Sequence, residues 1–566
     1  MRDLFKIALE FQNKGDLIKA KNVYNKILRT SNKNNYVLIN LALIEKKLEK
    51  YSKAINLLQK SIQINPNVIE AHINLGNIFQ LLNNHNKAID YYKNALNINK
   101  NFEGIYFNLG NSYMSLEKFT EAATNYKKSI EINPKFYRSF NNLGLLERIN
   151  ENYEFAVDNY KKSISINPNY IHAHYNLMEI LEKMHEHDRL KLSINEAKNI
   201  FGDHPIVLMF QSLILINSKK FDEAISLLKS VKLQSYKGIT YEQKARYYEL
   251  LGKSYDQKNK AKMAFKYFNL ANKIDFNHPE NKKFDKDNTL KQIRINRKYF
   301  NKKNIKTWKK ITQKSNQSKN YFLIGFPRSG TTLLDTILRT HSQIDLIEDK
   351  PIVPEIKILF NKKMKGQYEQ INKNDLEKIQ NLYYDRINFY KKNKSSKKII
   401  IDKMPNNSIE VGFLHRIFPR SKFIFSLRHP CDCVLSCFIN RFKMNDAMLN
   451  FTTIQDSVNF YNQIMSLWKL YKSNLPIDYF EIKYENLVLD LKKNITPLLG
   501  FLELDWEDSL FDFNKTALSR KKINTPSYNQ VTKPLYKQAI NRWQRYDKFL
   551  KIEKKLLKWI NEFEYN

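Results

Sequence analysis

Cysteine is scarce in this sequence, with 3 residues among 566, all within the segment CDCVLSC. An odd number of cysteines in so long a chain argues against a disulfide framework. The C-x-C-x3-C spacing of Cys431, Cys433 and Cys437 is compatible with a metal site, but no matching cluster of cysteine or histidine stands nearby in the sequence. We therefore expect buried thiols and no metal.

Long hydrophobic runs are also missing. The first residues, MRDLFKIALEFQNKGDL, interrupt their apolar positions with charges, which is unlike a secretory signal. No uninterrupted apolar run approaches the roughly 18 residues that a bilayer crossing requires. We expect a protein without a membrane span that is soluble and cytoplasmic.

Acidic residues are in deficit. The chain has 95 basic and 57 acidic residues, a formal net charge of +38. This balance favours acidic partners such as nucleic acid, a membrane surface, an acidic peptide or an anionic cofactor. Because lysine, asparagine and isoleucine are used heavily throughout, a coding bias accounts for most of the charge, and we expect no specific nucleic-acid partner.

A 34-residue repeat fills the first part of the chain. Five stretches align without gaps and keep a small residue, an alanine, a large residue and a proline at set positions. The recurring residues are Ala8, Ala42, Gly76, Gly110 and Gly144; Ala54, Ala88, Ala122 and Ala156; Leu58, Tyr92, Tyr126 and Tyr160; and Pro66, Pro134 and Pro168. Small residues let two antiparallel helices approach, large ones fill the wedge between neighbours, and proline ends the second helix.

This pattern resembles the tetratricopeptide repeat, which implies an all-α superhelix. Weaker matches downstream extend the array to about eight repeats over residues 1–278, the sixth degenerate. The concave face of such an array can hold a protein or peptide, and a helical spacer or dimerisation arm is the alternative. Residues 279–319 lack the repeat and are strongly basic, which predicts a helical connector rather than a nucleic-acid arm.

The hydrophobic period changes at residue 320. Short β-rich runs, YFLIGF, KKIIIDK, SKFIFSL and IDYFEIKY, are separated by helical stretches. Alternating strands and helices predict an α/β domain over residues 320–566 with a mostly parallel sheet. Ligands of such sheets bind at the carboxyl ends of the strands.

The segment FPRSGTTLL follows the first of these strands and resembles a phosphate-binding loop. Gly325 and Gly330 keep the G-x-x-x-x-G spacing, but Thr331 stands where a P-loop lysine belongs. Backbone N–H groups at the start of the next helix form an anion site. Arg328 supplies the charge, and further donors come from the hydroxyls of Ser329, Thr331 and Thr332. The missing lysine and the lack of a clear Mg²⁺ carboxylate weigh against a P-loop kinase.

A second segment, FIFSLRHPCDCVLSCF, ends a strand at Arg428 and places Ser436 eight residues later on a helix. The two motifs, about 100 residues apart, resemble sulfotransferases that use 3′-phosphoadenosine-5′-phosphosulfate (PAPS). The resemblance implies that residues 327–332, including Pro327, hold the 5′-phosphosulfate, and that Arg428 and Ser436 hold the 3′-phosphate.

Further segments resemble the protein-tyrosine sulfotransferase branch and bacterial proteins that join tetratricopeptide repeats to a sulfotransferase domain. IDKMPNN implies Lys403 near the transferring sulfuryl group, and IKYENLV implies Tyr484 at the nucleotide. The late segment NTPSYNQVTKPLYKQAINRWQRY and the residues before it imply Lys533 on the phosphate side and Ser519 near the reaction centre.

The catalytic base falls in the segment IED, where the family has a glutamate. A gap-free alignment on Arg328 places Asp349 at that position, and Glu348 is its neighbour, so either acid can take the acceptor's proton. We expect sulfuryl transfer to an acceptor hydroxyl, in a peptide tyrosine or a glycan, without a metal. The alternatives are a non-catalytic repeat scaffold with a nucleotide-binding domain, a P-loop kinase and a nucleic-acid binder.

Overall fold

The computed structural model describes residues 2–31, 33–231, 233–236, 238–308, 319–364, 367–391, 397–519 and 539–565. The chain divides into two compact units, Met1–Phe210 and Gln211–Asn566.

The first unit consists of antiparallel helix pairs. Its helices are α1 (Arg2–Asn13), α2 (Leu17–Thr30), α3 (Asn35–Lys47), α4 (Tyr51–Ile64), α5 (Ile69–Leu81), α6 (His85–Ile98), α7 (Glu103–Ser115), α8 (Phe119–Ile132), α9 (Tyr137–Ile149), α10 (Tyr153–Ile166), α11 (Ile171–Lys183) and α12 (His187–Phe201). The next helix, α13 (Pro205–Asn217), spans the boundary between the units. This all-α architecture confirms the prediction from the 34-residue period.

The recurring spacing of small and large residues between repeats has a direct packing cause. A Cβ atom on Gly110 would lie 2.5 Å from Cε1 of Tyr126, and one on Gly76 would lie 2.4 Å from the same atom of Tyr92. Both tyrosines are fully buried, and the Tyr126 hydroxyl donates to Oδ1 of Asn111 at 2.8 Å. Each glycine therefore leaves the space in which the aromatic ring of its own helix pair lies.

The second unit begins with helices of the same kind. These are α14 (Phe221–Ser230), α15 (Tyr241–Gln257), α16 (Ala261–Phe276), α17 (Lys286–Tyr299) and α18 (Lys302–Lys306), with short 3₁₀ turns at Leu233–Ser235 and Pro279–Lys283. Helices α15 and α16 repeat the glycine–aromatic contact, because a Cβ on Gly252 would lie 2.7 Å from the ring of Phe268.

A five-stranded sheet with flanking helices follows in the described residues. Its strands are β1 (Tyr321–Gly325), β2 (Ile344–Glu348), β3 (Ile399–Lys403), β4 (Lys422–Leu427) and β5 (Asp478–Lys483). The helices are α19 (Thr331–Thr340), α20 (Ile352–Met364), α21 (Lys373–Tyr390), α22 (Val411–Ile417), α23 (Pro430–Ile439), α24 (Ile454–Asn474), α25 (Tyr484–Leu489), α26 (Leu491–Phe501), α27 (Phe513–Ser519), α28 (Gln544–Leu550) and α29 (Ile552–Glu562). The 3₁₀ turns are Tyr368–Gln370, Pro405–Glu410, Met448–Phe451 and Asp508–Asp512.

The strand order is β2-β3-β1-β4-β5, and every pairing is parallel, which confirms the predicted α/β class. Strands β1 and β4 are buried along their whole length, as expected for a parallel sheet covered on both faces. The chain leaves β1 toward β2 and β3 on one side and later adds β4 and β5 on the other. The loop after β1 therefore lies at a topological switch point, where α/β sheets bind ligands.

None of the helices described is both long enough and apolar enough to cross a membrane.

Candidate active site

The loop between β1 and α19 leaves no room for a side chain at Gly330. This glycine has φ 102°, a left-handed conformation that side chains disfavour. A Cβ atom there would lie 2.8 Å from Cδ2 of Tyr484. Ser329 is 1% exposed, and its Oγ has no hydrogen-bond partner among the described residues. A buried hydroxyl without a partner at a helix start fits an anion that the protein itself does not supply.

Thr331 and Thr332 open α19 and are both buried. The backbone of the loop is held from the β4–α23 side: Ser426 Oγ donates to the carbonyl of Ser329 at 2.9 Å, and Cys437 Sγ lies 3.2 Å from the carbonyl of Pro327. The predicted loop residues 327–332 are thus brought together as a single cradle.

Two arginines from the two predicted motifs meet beside this cradle. Arg328 Nε donates to Ser436 Oγ at 3.1 Å, and Arg428 Nη1 donates to the carbonyl of Arg328 at 3.2 Å. Burial lowers the pKa of Arg328 to about 10, and the neighbouring charges of Arg428 and Arg542 act in the same direction. Cations this close and this buried favour a bound polyanion.

Tyr484 connects the two motifs. Its ring packs against Gly330, and the Arg428 guanidinium lies 5.1 Å from the ring centroid. This distance is that of a cation–π contact, which adds to the two hydrogen bonds that Arg428 donates. Arg428 Nε is buried without a hydrogen-bond partner within the described part of the chain.

The C-terminal segment covers the same arginine. Arg428 Nη2 donates to the carbonyl of Ala539 at 2.6 Å. Asp432, one turn into α23, accepts from the backbone N–H groups of Asn541 at 2.8 Å and Trp543 at 3.0 Å. Burial raises the pKa of the Asp432 carboxyl, and Arg428 at 4.0 Å opposes that rise. Asp432 therefore holds the chain over the arginine site.

A second cluster lies at the ends of β2 and β3. The parallel register places Glu348 opposite Lys403. Lys403 Nζ contacts Glu348 Oε1 at 3.3 Å and the two carboxylate oxygens of Asp349 at 3.2 and 3.1 Å. Burial alone would lower the pKa of Lys403, but Asp349 and Glu348 outweigh it and raise that pKa. Burial raises the pKa of Asp349, and Lys403 partly offsets the rise.

The two clusters lie on the same side of the sheet, at the carboxyl ends of neighbouring parallel strands. Lys403 pairs in register with Leu323 on β1, the strand that leads into the cradle loop, and Met404 N–H donates to the Leu323 carbonyl at 3.2 Å. The structure thus places Glu348, Asp349 and Lys403 at the carboxyl ends of β2 and β3, on the side of the sheet where the cradle loop follows β1.

Two predicted site residues fall wholly or partly outside the described part of the chain. Ser519 ends α27, and the surroundings of its side chain lie outside the described residues, as does all of Lys533. The three cysteines are buried and form no disulfide. Within the described ranges, no group of three His, Cys, Asp or Glu side chains is arranged to hold a metal ion.

Sequence reasoning missed three residues that shape the site: Asp432, Glu485 and Arg542. Glu485 accepts from the backbone N–H of His429 at 2.9 Å, next to Arg428. Asp432 was detectable, because it is the single acidic residue in the segment FIFSLRHPCDCVLSCF and follows Arg428 by four residues. Glu485 and Arg542 lie inside the segments IKYENLV and NTPSYNQVTKPLYKQAINRWQRY, but nothing local assigns either residue to the arginine site.

Comparison with known proteins gives the class of this site. Residues 321–508 match a model described as the sulfotransferase family. Models of the tetratricopeptide repeat match residues 33–101, 105–136, 137–170 and 245–278. The chain therefore carries a sulfotransferase-family domain together with tetratricopeptide repeats, as both sets of motifs predicted.

Individual relatives narrow the resemblance. An uncharacterized protein of Aquifex aeolicus is 32% identical over 244 residues, which cover 40% of this chain and 31% of that protein. Protein-tyrosine sulfotransferase 1 of Danio rerio is 25% identical over 234 residues, 39% of this chain and 64% of the relative. The chain thus spans less than two thirds of the length of either relative. The predicted resemblance to the protein-tyrosine sulfotransferase branch is confirmed at this level of identity.

Among solved structures, a tetratricopeptide repeat protein of Parabacteroides merdae aligns with a TM-score of 0.37 and 19% identity, covering 45% of this chain and 98% of that structure.

Proposed function

We propose that this chain transfers a sulfuryl group from PAPS to the hydroxyl group of an acceptor. The sulfotransferase-family domain supports the class of reaction. The choice of donor rests on one observation: Arg328, Arg428 and Ser436 meet beside a glycine loop that contains a buried, unpartnered Ser329 hydroxyl within the described residues. A loop for one phosphate and a separate arginine–serine pair for another suit a nucleotide with phosphates at both the 5′ and 3′ positions.

In this proposal the N–H groups and hydroxyls of residues 327–332 hold the 5′ end. Arg428 and Ser436 hold the 3′-phosphate, and Tyr484 contacts Arg428 while lining the nucleotide. The roles of Lys533 and Ser519 rest on the family resemblance alone. No metal is required, because the arginines, Lys403 and the start of α19 supply positive charge.

The bound donor supplies an activated sulfuryl group whose oxygens carry the developing negative charge. Lys403, buried and held by two carboxylates, presents its ammonium at the edge of the sheet where that charge builds up. Asp349 is the base in this proposal, since its side chain is 30% exposed whereas that of Glu348 is 11% exposed. The raised pKa of Asp349 moves the carboxylate closer to the range in which it can take a hydroxyl proton.

The acceptor in this proposal is a tyrosine hydroxyl of a protein or peptide. The support is the similarity to protein-tyrosine sulfotransferase 1 of Danio rerio and of Homo sapiens. The repeats recruit the acceptor or a partner protein. Labelled-sulfate transfer from PAPS to tyrosine peptides, compared with glycans, tests the acceptor class.

Nucleotide binding tests the donor site. Titration of the full chain with adenosine 3′,5′-bisphosphate (PAP), the product that PAPS leaves behind, is expected to give tight binding. Arg428→Ala and Arg328→Ala should each weaken it about 100-fold, because each leaves a phosphate without its charged donor. Arg297→Ala is the matched control. This arginine of α17 is exposed, and its guanidinium donates to Oε1 of Gln463 at 3.0 Å, away from the proposed phosphate sites.

Equal and weak PAP affinity in all four proteins would rule out the proposal. Tighter binding of ATP with Mg²⁺ than of PAP would favour a kinase instead.

A further inference from the structure

One buried carboxylate of the last helix pair reaches into the C-terminal segment of the chain. Asp256, near the end of α15, is 1% exposed. Its side chain accepts from Arg542 Nη2 at 2.5 Å, from Arg545 Nη2 at 3.2 Å and from the Tyr546 hydroxyl at 2.6 Å. Its backbone carbonyl also accepts from Arg545 Nη1 at 2.9 Å. A single side chain of the helix pair thus binds three side chains within five residues.

The segment held by Asp256 is the one that covers Arg428. Residues 539–543 give Arg428 the Ala539 carbonyl and give Asp432 two backbone N–H groups. Asp432 holds this segment from α23, and Asp256 holds Arg542 within it from α15. The stretch is therefore fixed between two carboxylates that belong to different parts of the second unit.

The other helix of the pair holds the far end of α23. Asn272 Nδ2 donates to the carbonyl of Phe438 at 2.9 Å, and the rings of Phe265 and Phe438 stack at 5.1 Å. Just beyond α23, Arg441 makes a two-pronged ion pair with Asp275 at 2.7 and 2.8 Å. Helix α23 carries Ser436, so α16 fixes the helix that presents the serine.

Both anchors are of the kind whose loss is costly. A buried carboxylate is stable only while its partners compensate it, and removing it leaves a half-buried arginine without its nearest counter-charge. The segment that contains Arg542 would then be free to move away from Arg428, and Arg441 would no longer hold the end of α23. Neither Asp256 nor Asp275 forms part of the cradle itself.

We propose that Asp256 and Asp275 are positioning residues for the 3′-phosphate half of the donor site. The last helix pair of the repeat array, α15 and α16, is on this view a structural part of nucleotide binding and not only a recruitment module. This inference rests on the proposed PAPS site, because it assigns the anchors to the phosphate that Arg428 and Ser436 would hold.

The experiment compares two nucleotides on the full chain. PAP carries the 3′-phosphate and adenosine 5′-monophosphate (AMP) lacks it, so the ratio of their dissociation constants measures the 3′-phosphate subsite alone. Asp256→Asn keeps the shape of the side chain but not its charge. We expect this variant to bind PAP about tenfold more weakly, as for a lost charged hydrogen bond, and to bind AMP with unchanged affinity. Asp275→Asn should act in the same direction.

Glu369→Gln is the matched control. Glu369 accepts from the Tyr299 hydroxyl at 2.8 Å and so joins α17 to the sheet domain at a place that shares no described contact with Arg428. It should keep the wild-type PAP-to-AMP ratio. A general loss of fold would weaken both nucleotides together, whereas lost positioning changes only their ratio.

The outcomes separate the two proposals. A wild-type chain that does not prefer PAP over AMP would overturn the proposed function. A wild-type chain that prefers PAP, with an unchanged ratio in both aspartate variants, would overturn the positioning role. If Asp256→Asn does not fold, two variants decide: Tyr546→Phe, which removes only one hydroxyl donor to Asp256, and Asp275→Asn. A smaller preference for PAP over AMP supports the inference, and the wild-type preference in both variants overturns it.

Discussion

Lys403 and Asp349 are joined twice. The Lys403 ammonium lies 3.1 Å from Oδ2 of Asp349, and the Asp349 backbone N–H donates to the Lys403 carbonyl at 2.9 Å. Glu348 contacts the same ammonium at 3.3 Å. Two acids at neighbouring strand ends therefore share one buried lysine. We expect the more exposed Asp349 to act as the base and the less exposed Glu348 to hold Lys403 in place.

Substitution of each acid tests this division. Asp349→Asn should lower kcat by about 100-fold or more, because general bases contribute about 10²–10⁴-fold. Glu348→Gln should lower it far less, since Asp349 still holds Lys403. The measurement is steady-state transfer to a tyrosine peptide. PAP affinity serves as the control and should change little in both variants, and a larger loss in Glu348→Gln would assign the base to Glu348.

The pH dependence of transfer follows from the same residue. Burial raises the pKa of Asp349 above its ordinary value. A base works only as the carboxylate, so kcat should fall as the pH drops through this raised pKa. In Asp349→Asn the acid limb of the pH profile should disappear. A profile that keeps the wild-type limb in this variant would contradict the assignment.

Asp402 predicts a pH-dependent stability. Burial raises its pKa from 3.8 to about 7, and the Tyr383 hydroxyl at 3.4 Å only partly opposes this. The folded chain thus holds this proton to higher pH than the unfolded chain. The contribution of Asp402 to stability is present below about pH 4 and is lost as the pH rises through 7.

Asp402→Asn removes the ionisation, so its urea midpoint should exceed that of the wild type by more at pH 8 than at pH 5. Tryptophan fluorescence reports the second unit specifically, because all 5 tryptophans lie beyond residue 210. A difference that is the same at both pH values would show that Asp402 titrates normally.

Gly330→Ala should remove nucleotide binding without unfolding the domain. The new Cβ would meet the Tyr484 ring at 2.8 Å in a backbone conformation with φ 102°. The strain of about 1–2 kcal/mol falls on the loop alone. PAP affinity should therefore fall more than about tenfold while the tryptophan-detected midpoint shifts little. Gly500→Ala is the control, since a Cβ there meets nothing within 4 Å.

Gly110→Ala should destabilise the first unit by about 1–3 kcal/mol, as for other overpacked cores. Its Cβ would lie 2.5 Å from the buried ring of Tyr126. Thermal unfolding followed by circular dichroism should show a lower midpoint. Gly104→Ala is the control: its nearest neighbour, the ring edge of Phe102, lies 3.1 Å away, and alanine favours the helix. An unchanged midpoint for Gly110→Ala would refute the packing role of this glycine.

Much of the architecture could be predicted, because it follows from sequence patterns that span a single element or one helix pair. The 34-residue period gives the helix pairs, and the step from Gly110 to Tyr126 lies inside one pair. The loop that ends at Gly330 could be located because a strand, a glycine spacing and a helix start occur in succession. Arg428 was recognisable for the same reason, as the end of an apolar strand followed by a helix.

The sequence by itself determined the elements and the loops that carry anion-binding groups, since spacing along one strand or helix is a short-range property. Only the tertiary structure decided which charges meet. Asp256 and Arg542 stand 286 residues apart, and no local pattern distinguishes Asp256 from the other acids of the chain. The strand register likewise brings Lys403 to Glu348 and Asp349. Such pairs depend on how separate elements pack, and packing energy is summed over contacts that the order of residues does not display.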